Sequence, residues 1–115
     1  MDDSILKSVR TGCNLNSTCD AFDDQIIPFI NTAFANLTQV GVGPSEGFAI
    51  NGIREKWDDF TSDLVSQSWV KTYVSTFTRL MHDPPASSFV EQSLTKKLEE
   101  CLWRLNVHCD PPEED

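Results

Sequence analysis

The side chains best suited to chemistry are few: the adjacent carboxylates Asp58 and Asp59, four cysteines grouped as Cys13 with Cys19 and Cys101 with Cys109, and two histidines, His82 and His108. Acid–base work by paired carboxyls needs both aimed at one point, whereas neighbours on a helix project about 100° apart. Asp58 and Asp59 read better as a helix start, where negative charge meets the positive end of the helix dipole. A zinc site would need the two chain ends to converge, and the intervals within each cysteine pair exceed the usual ligand spacing, so reduced thiols are expected. His82 precedes Asp83 at an expected helix end, a favoured place for histidine. No Ser-His-Asp order and no cysteine-nucleophile motif is visible. The glycine run Gly41-Val42-Gly43-Pro44 lacks the Lys-Ser/Thr and the preceding strand of a phosphate loop. These residues argue against an enzyme and imply no metal or cofactor. The sequons at Asn16 and Asn36 would matter only in a secreted chain.

The elements that would position these groups belong to one domain, since 115 residues can bury one core but not two. Three Trp and seven Phe argue for a packed interior. Eighteen acidic against nine basic residues leave a net charge of −9, which repels nucleic acid and anionic lipid unless cations are segregated. The densest basic cluster is Lys96-Lys97. Acids stand at the N-terminus where a secretory signal needs positive charge, and no run approaches the length of a membrane span, so a soluble chain made and kept in cytoplasm is expected.

Ser4 can cap a short helix carrying Ile5, Leu6 and Val9, with Gly12 at its end. Phe22, Ile26, Ile30, Phe34 and Leu37 form the stripe of a second helix, interrupted by Pro28, which either kinks it or marks a delayed start. Four glycines and Pro44 then rule out a helix, and residues 48–54 read as a small β-hairpin about Asn51-Gly52. Trp57-Asp58-Asp59-Phe60 suits one helical turn whose aromatics return to the core. Val65, Trp69, Tyr73, Phe77 and Leu80, broadened by Val70, Val74 and Met81, predict a long helix over residues 64–81. Pro84-Pro85 stops it. Ser88 and Glu91 have capping-box spacing for a last helix bearing Val90, Leu94, Leu98, Cys101, Leu102 and Leu105.

The expected fold is all-α: a small bundle around an antiparallel pair of long helices, with one β-hairpin excursion. It occupies residues 1–107, followed by an acidic tail over 108–115. The corner formed by Asp83, Pro84, Pro85, Ser88 and Glu91 would set the angle of the last helix. A two-strand ribbon is marginal alone, so the loop residues Gly43, Pro44, Phe48, Ile50, Asn51, Gly52 and Ile53 are candidates for contact with another subunit or a downstream protein. Trp103 lies about 100° off the Leu94/Leu98/Leu105 stripe. It reads either as a flank of the core or, with Arg104, Asn106 and Val107, as an anchor for another protein.

Several motifs in order resemble the head-tail connector, or head-completion adaptor, proteins of long-tailed bacteriophages. They are Met1-Asp2-Asp3-Ser4-Ile5-Leu6; Asp24-Gln25-Ile26-Ile27 with Ile30-Asn31 and Phe34-Ala35-Asn36-Leu37; and Gly41-Val42-Gly43-Pro44 with Glu46-Gly47-Phe48. Trp57-Asp58-Asp59-Phe60, Val70-Lys71-Thr72-Tyr73-Val74, Asp83-Pro84-Pro85 with Ser87-Ser88-Phe89, and Trp103-Arg104-Leu105-Asn106 complete the set. The stretch from Cys13 to Cys19 and Pro28 depart from the family pattern. The resemblance implies a virion protein of the phage neck, assembled in the host cytoplasm. Its copies would form a ring, dodecameric like the portal, that docks to the portal protein, prolongs the DNA channel and presents a surface to the next neck, stopper or tail-completion protein. DNA would pass through without sequence-specific binding, and no membrane is involved. From another class, a cytoplasmic acidic adaptor or inhibitor of a basic protein also fits the composition.

Overall fold

Ser4 opens the first helix, α1 (Ile5–Gly12), with an extended backbone and a hydroxyl that accepts the Lys7 N–H at 3.4 Å. The computed structural model describes residues 4–13, 15–16, 18–44, 46–82 and 86–109, the last two by backbone alone. Helices α2 (Asp23–Gln39), α3 (Trp57–Phe60), α4 (Leu64–His82) and α5 (Ser88–Cys109) follow, and the protein is an all-α globule. Helix α4 packs against each of the other four.

Ile5, Leu6 and Val9 of α1 are fully buried, as their spacing requires. Gly12 ends α1 without a left-handed backbone. Its small size serves packing: a Cβ there would lie 3.1 Å from the Ser75 Cβ, so its absence lets α1 approach α4 closely. Arg10, only 4% exposed, reaches the first residue of α2. Its Nε and Nη2 donate to the two Asp23 carboxylate oxygens at 3.1 and 2.6 Å, a bidentate pair that fixes α1 to the start of α2. Pro28 lies inside α2, so the delayed helix start is not adopted. The Asp24 carbonyl thereby loses its helical donor.

The hairpin expected over residues 48–54 is not formed. Among the described residues there is no strand, and an isolated antiparallel bridge joins Ser4 to Lys56. The reason lies in Asn31 on α2. Its Oδ1 accepts the Ile50 N–H at 2.7 Å and its Nδ2 donates to the Ile50 carbonyl at 3.2 Å, so both backbone groups are taken by a side chain. The Asn51 N–H bonds to Glu55 Oε2 at 3.1 Å, and Gly52 lacks the positive φ of a type I′ turn.

Trp57 and Phe60 of α3 are buried, as anticipated. Phe34 is the hub of an aromatic cluster, with ring centroids 4.9 Å from Phe48, 4.7 Å from Phe60 and 6.2 Å from Trp57. The inward face of α4 differs from the expected stripe. Val70, Tyr73 and Val74 are buried while Val65 and Met81 are about half exposed, and Ser66, Gln67 and Thr78 occupy inner positions. Ser66 Oγ donates to Asp63 at 2.8 Å, and Gln67 Nε2 donates to Asp58 and to the Thr61 carbonyl, so these two residues bind the turn between α3 and α4.

Helices α4 and α5 are antiparallel, since Arg104 near the end of α5 lies against Trp69 near the start of α4. The cap of α5 is Ser87, one residue before the expected Ser88. Its hydroxyl accepts the Val90 N–H at 3.4 Å and its carbonyl the Glu91 N–H at 3.0 Å, which places Ser88 inside the helix. Asp83, Pro84 and Pro85 of the corner lie outside the described residues, as do residues 110–115 of the tail.

Two stability predictions follow from these ties. Asp23→Ala should cost about 3 kcal/mol in urea unfolding by removing the bidentate carboxylate from the buried Arg10 guanidinium, while a joint Arg10→Met/Asp23→Leu replacement should cost less than that single change. Asn31→Ala should cost about 2 kcal/mol because two backbone groups of Ile50 lose their partners together. A loss near zero in either single variant would remove that tie from the fold.

Candidate functional site

Both members of the acidic pair are occupied structurally. Asp59 accepts the Lys56 N–H at 2.9 Å and so caps α3, while Asp58 accepts from Gln67. Among the described residues no three His, Cys, Asp or Glu side chains come together as a metal site. Cys13 and Cys101 are buried and Cys19 is partly buried. His82 makes an edge contact with Phe22, ring centroids 5.4 Å apart. The side chain of His108 lies outside the described residues. Among the described residues these groups converge on no common point.

What the fold does assemble is an apolar groove at the open end of the α4/α5 pair. Val65 and Trp69 line it from α4, and Trp103, Arg104 and Val107 from α5, around about 340 Å³ of space. Trp103 is 63% exposed, and Leu64, which precedes Val65 in the chain, is 76% exposed. The Arg104 guanidinium stands 5.4 Å from the Trp69 ring centroid and 5.9 Å from that of Trp103. Glu100 holds it from the preceding turn at 3.2 Å. Asn106 serves the fold instead, since its Nδ2 donates to the Val40 carbonyl at 3.2 Å and ties α5 to the end of α2.

A second apolar end lies at the opposite pole of the same helix pair. Phe22, Met81, Phe89 and Val90 are all exposed around the end of α4 and the start of α5. Of nine large exposed apolar side chains among the described residues, only Ile53 lies away from these two ends. That segregation gives the helix pair two apolar ends rather than scattered exposure.

The loop candidates divide. Ile50 is fully buried and Phe48 packs on Phe34 and Phe60, so both serve the interior. Gly43, at φ 78°, presses against the Phe60 ring where no side chain would fit, and Pro44 is half-buried. Asn51, Gly52 and Ile53 line a shallow depression with Arg54 and Glu55, and Asn51 and Ile53 are exposed.

The family model for phage connector protein matches residues 5–112. The chain belongs to that family. Searches of curated proteins and of solved structures each returned no match. Membership makes this connector chain a structural virion component with a head-tail connecting role, not an enzyme, that interacts with other head or tail proteins. No helix among the described residues is long and apolar enough to cross a membrane.

The connector's core also carries two ionisable groups of its own. Burial pushes the Tyr73 phenol above its ordinary 10.0, opposed by the hydrogen bond that Asn36 donates at 3.1 Å, and the nearby Cys101 raises it further. Burial likewise lifts the Cys101 thiol above 9.0, with Lys97 lowering and Glu100 raising it. Both groups are neutral when protonated, and folding raises both values. Their contribution to stability is therefore fully present below the ordinary values and is lost as pH climbs through the raised ones. Thermal melts should be flat from neutral pH to about 9 and fall above it, and Cys101→Ala should delay the onset of that fall. An unchanged onset would take Cys101 out of the alkaline transition.

Proposed function

We propose that copies of this connector form a ring in the phage neck that docks to the portal, extends the DNA channel and hands the head on to the next neck or tail-completion protein. The observation that carries the reading is the pair of apolar ends, because an adaptor needs separate surfaces for what lies above and below it. The Trp103 groove is assigned to the head side, with Trp103, Arg104 and Val107 as contacts and the tail over residues 108–115 beside them. A groove of two tryptophans and an arginine has the composition of an interface centre. Asn51 and Ile53 remain the loop residues able to meet a neighbouring subunit or downstream protein. Twelve copies, by family resemblance, would match the portal.

The charge supports the same role. A chain of net charge −9 lines a conduit without retaining the DNA that slides through it.

The test is attachment to portal-bearing capsids followed by sedimentation. Trp103→Ala should weaken attachment by about 30-fold, equivalent to about 2 kcal/mol for an interface tryptophan, while circular dichroism stays that of the folded chain. Deleting residues 107–115 should abolish attachment. Normal attachment by both variants would move the head-side contact away from this end, and absence of the chain from the necks of purified virions by electron microscopy would refute the ring.

A further inference from the structure

Helix α5 carries a second periodicity beside the one that packs it on α4. Phe89, Ser93, Lys96, Glu100, Trp103 and Val107 follow one another at intervals of four, three, four, three and four residues, and every one of them is exposed. Alternating steps of four and three keep side chains on one face of a helix and mark the a and d positions of a heptad seam. The seam runs about 27 Å at 1.5 Å per residue. It is turned away from the side that buries Cys101 and Leu105, because residues two apart on a helix point in nearly opposite directions and Trp103 stands between those two.

The seam is its own complement when reversed. Set antiparallel to a second copy about residue 98, it brings Phe89 opposite the second copy's Val107, Ser93 opposite the second copy's Trp103, and Lys96 opposite the second copy's Glu100. Each layer then pairs apolar with apolar, a small side chain with the largest, or cation with anion. Lys97 and Glu99 extend the central layers, so a basic pair faces an acidic one. Arg104 engages Oε2 of Glu100 through both Nε and Nη2, which leaves Oε1 for a lysine. A parallel arrangement would instead set Lys96 on Lys96 and Glu100 on Glu100. An antiparallel slip of one heptad would set Phe89 on Glu100 or Lys96 on Val107. The charged centre therefore fixes both direction and register.

We infer that two unassembled subunits associate through this face as an antiparallel, two-fold pair of α5 helices. Contact confined to one helix from each copy is small beside a standard protein interface, which makes the pair weak and reversible. A two-fold contact closes with two copies, so it is not the contact that builds a ring. The pair covers Phe89, Trp103 and Val107 in the free protein and must part before Trp103 can meet a portal. The inference goes beyond the proposed function, because it concerns free subunits and needs neither ring nor portal.

Sedimentation equilibrium of the purified full-length protein, from about 1 μM to about 1 mM, should show the mass rising from one chain to two and stopping there. Tryptophan emission should shift to the blue over the same range, as Trp103, 63% exposed in the single chain, becomes covered. Lys96→Glu and Glu100→Lys should each weaken the pair roughly 10-fold, since by symmetry each turns two attractive contacts repulsive. The Lys96→Glu/Glu100→Lys exchange in one chain should restore it. Both positions are exposed, so helical circular dichroism should be unchanged in all three variants. A one-chain mass throughout the range would overturn the inference, as would growth past two chains. So would a pair indifferent to the single changes, or a charge exchange that leaves the pair as weak as they do.

Discussion

Everything else in this connector hangs on helix α4, against which α1, α2, α3 and α5 all pack. A helix surrounded in this way must be small or apolar where its neighbours cross and polar where the connecting turns need partners. Ser75 opposite Gly12 meets the first demand, and Ser66 and Gln67 meet the second. Because the start of α4 is spent on holding the turn after α3, its outward apolar residues, Leu64, Val65 and one side of Trp69, are left at the surface. The groove at this end is thus a by-product of how the helix is anchored, completed by whatever α5 presents opposite it.

The ties that close the bundle are polar and long-range. Arg10 with Asp23, Asn31 with Ile50, Asn36 with Tyr73 and Asn106 with Val40 each join segments far apart in sequence. Each places a side-chain donor or acceptor where backbone pairing or apolar packing would otherwise be required, and this is how a chain with a loop of seventeen residues between α2 and α3 keeps that loop seated. The acidic composition suits such an arrangement. A surplus of carboxylates stays at the surface, while a buried guanidinium has a carboxylate at hand.

Much of this was legible in residue order. The 3.6-residue spacing of Ile26, Ile30, Phe34 and Leu37, and of Val70, Tyr73, Val74 and Phe77, reflects a physical need to bury one face, so the all-α class and the antiparallel pair could be read directly. The hairpin could not be judged correctly, because Asn-Gly between apolar residues has the same local chemistry whether its backbone pairs with a strand or with an asparagine nineteen residues upstream. The cap of α5 slipped by one residue because Ser87 and Ser88 are locally equivalent. At the site, Trp103 and Arg104 stood out by falling off the apolar stripe, but Val65 and Trp69 did not, since they share the period of the core residues beside them. The Arg10 pair had one faint signal: a cation on the same helix face as Val9 and Leu6.

Along α5 the cover is uneven. Every residue from Ser88 to Ser93 is exposed, Leu94 and Leu98 are half-buried, and among the described side chains only Cys101 and Leu105 are fully buried. A helix of two turns without tertiary packing is barely stable by itself, so the first third of α5 persists as an extension of the anchored remainder. Its amide protons are accordingly protected by local fraying equilibria and those near Leu105 by global unfolding, which gives one continuous rod a gradient of rigidity. Such a rod can yield at its start, beside Phe89 and Val90, without loosening the end that carries Trp103.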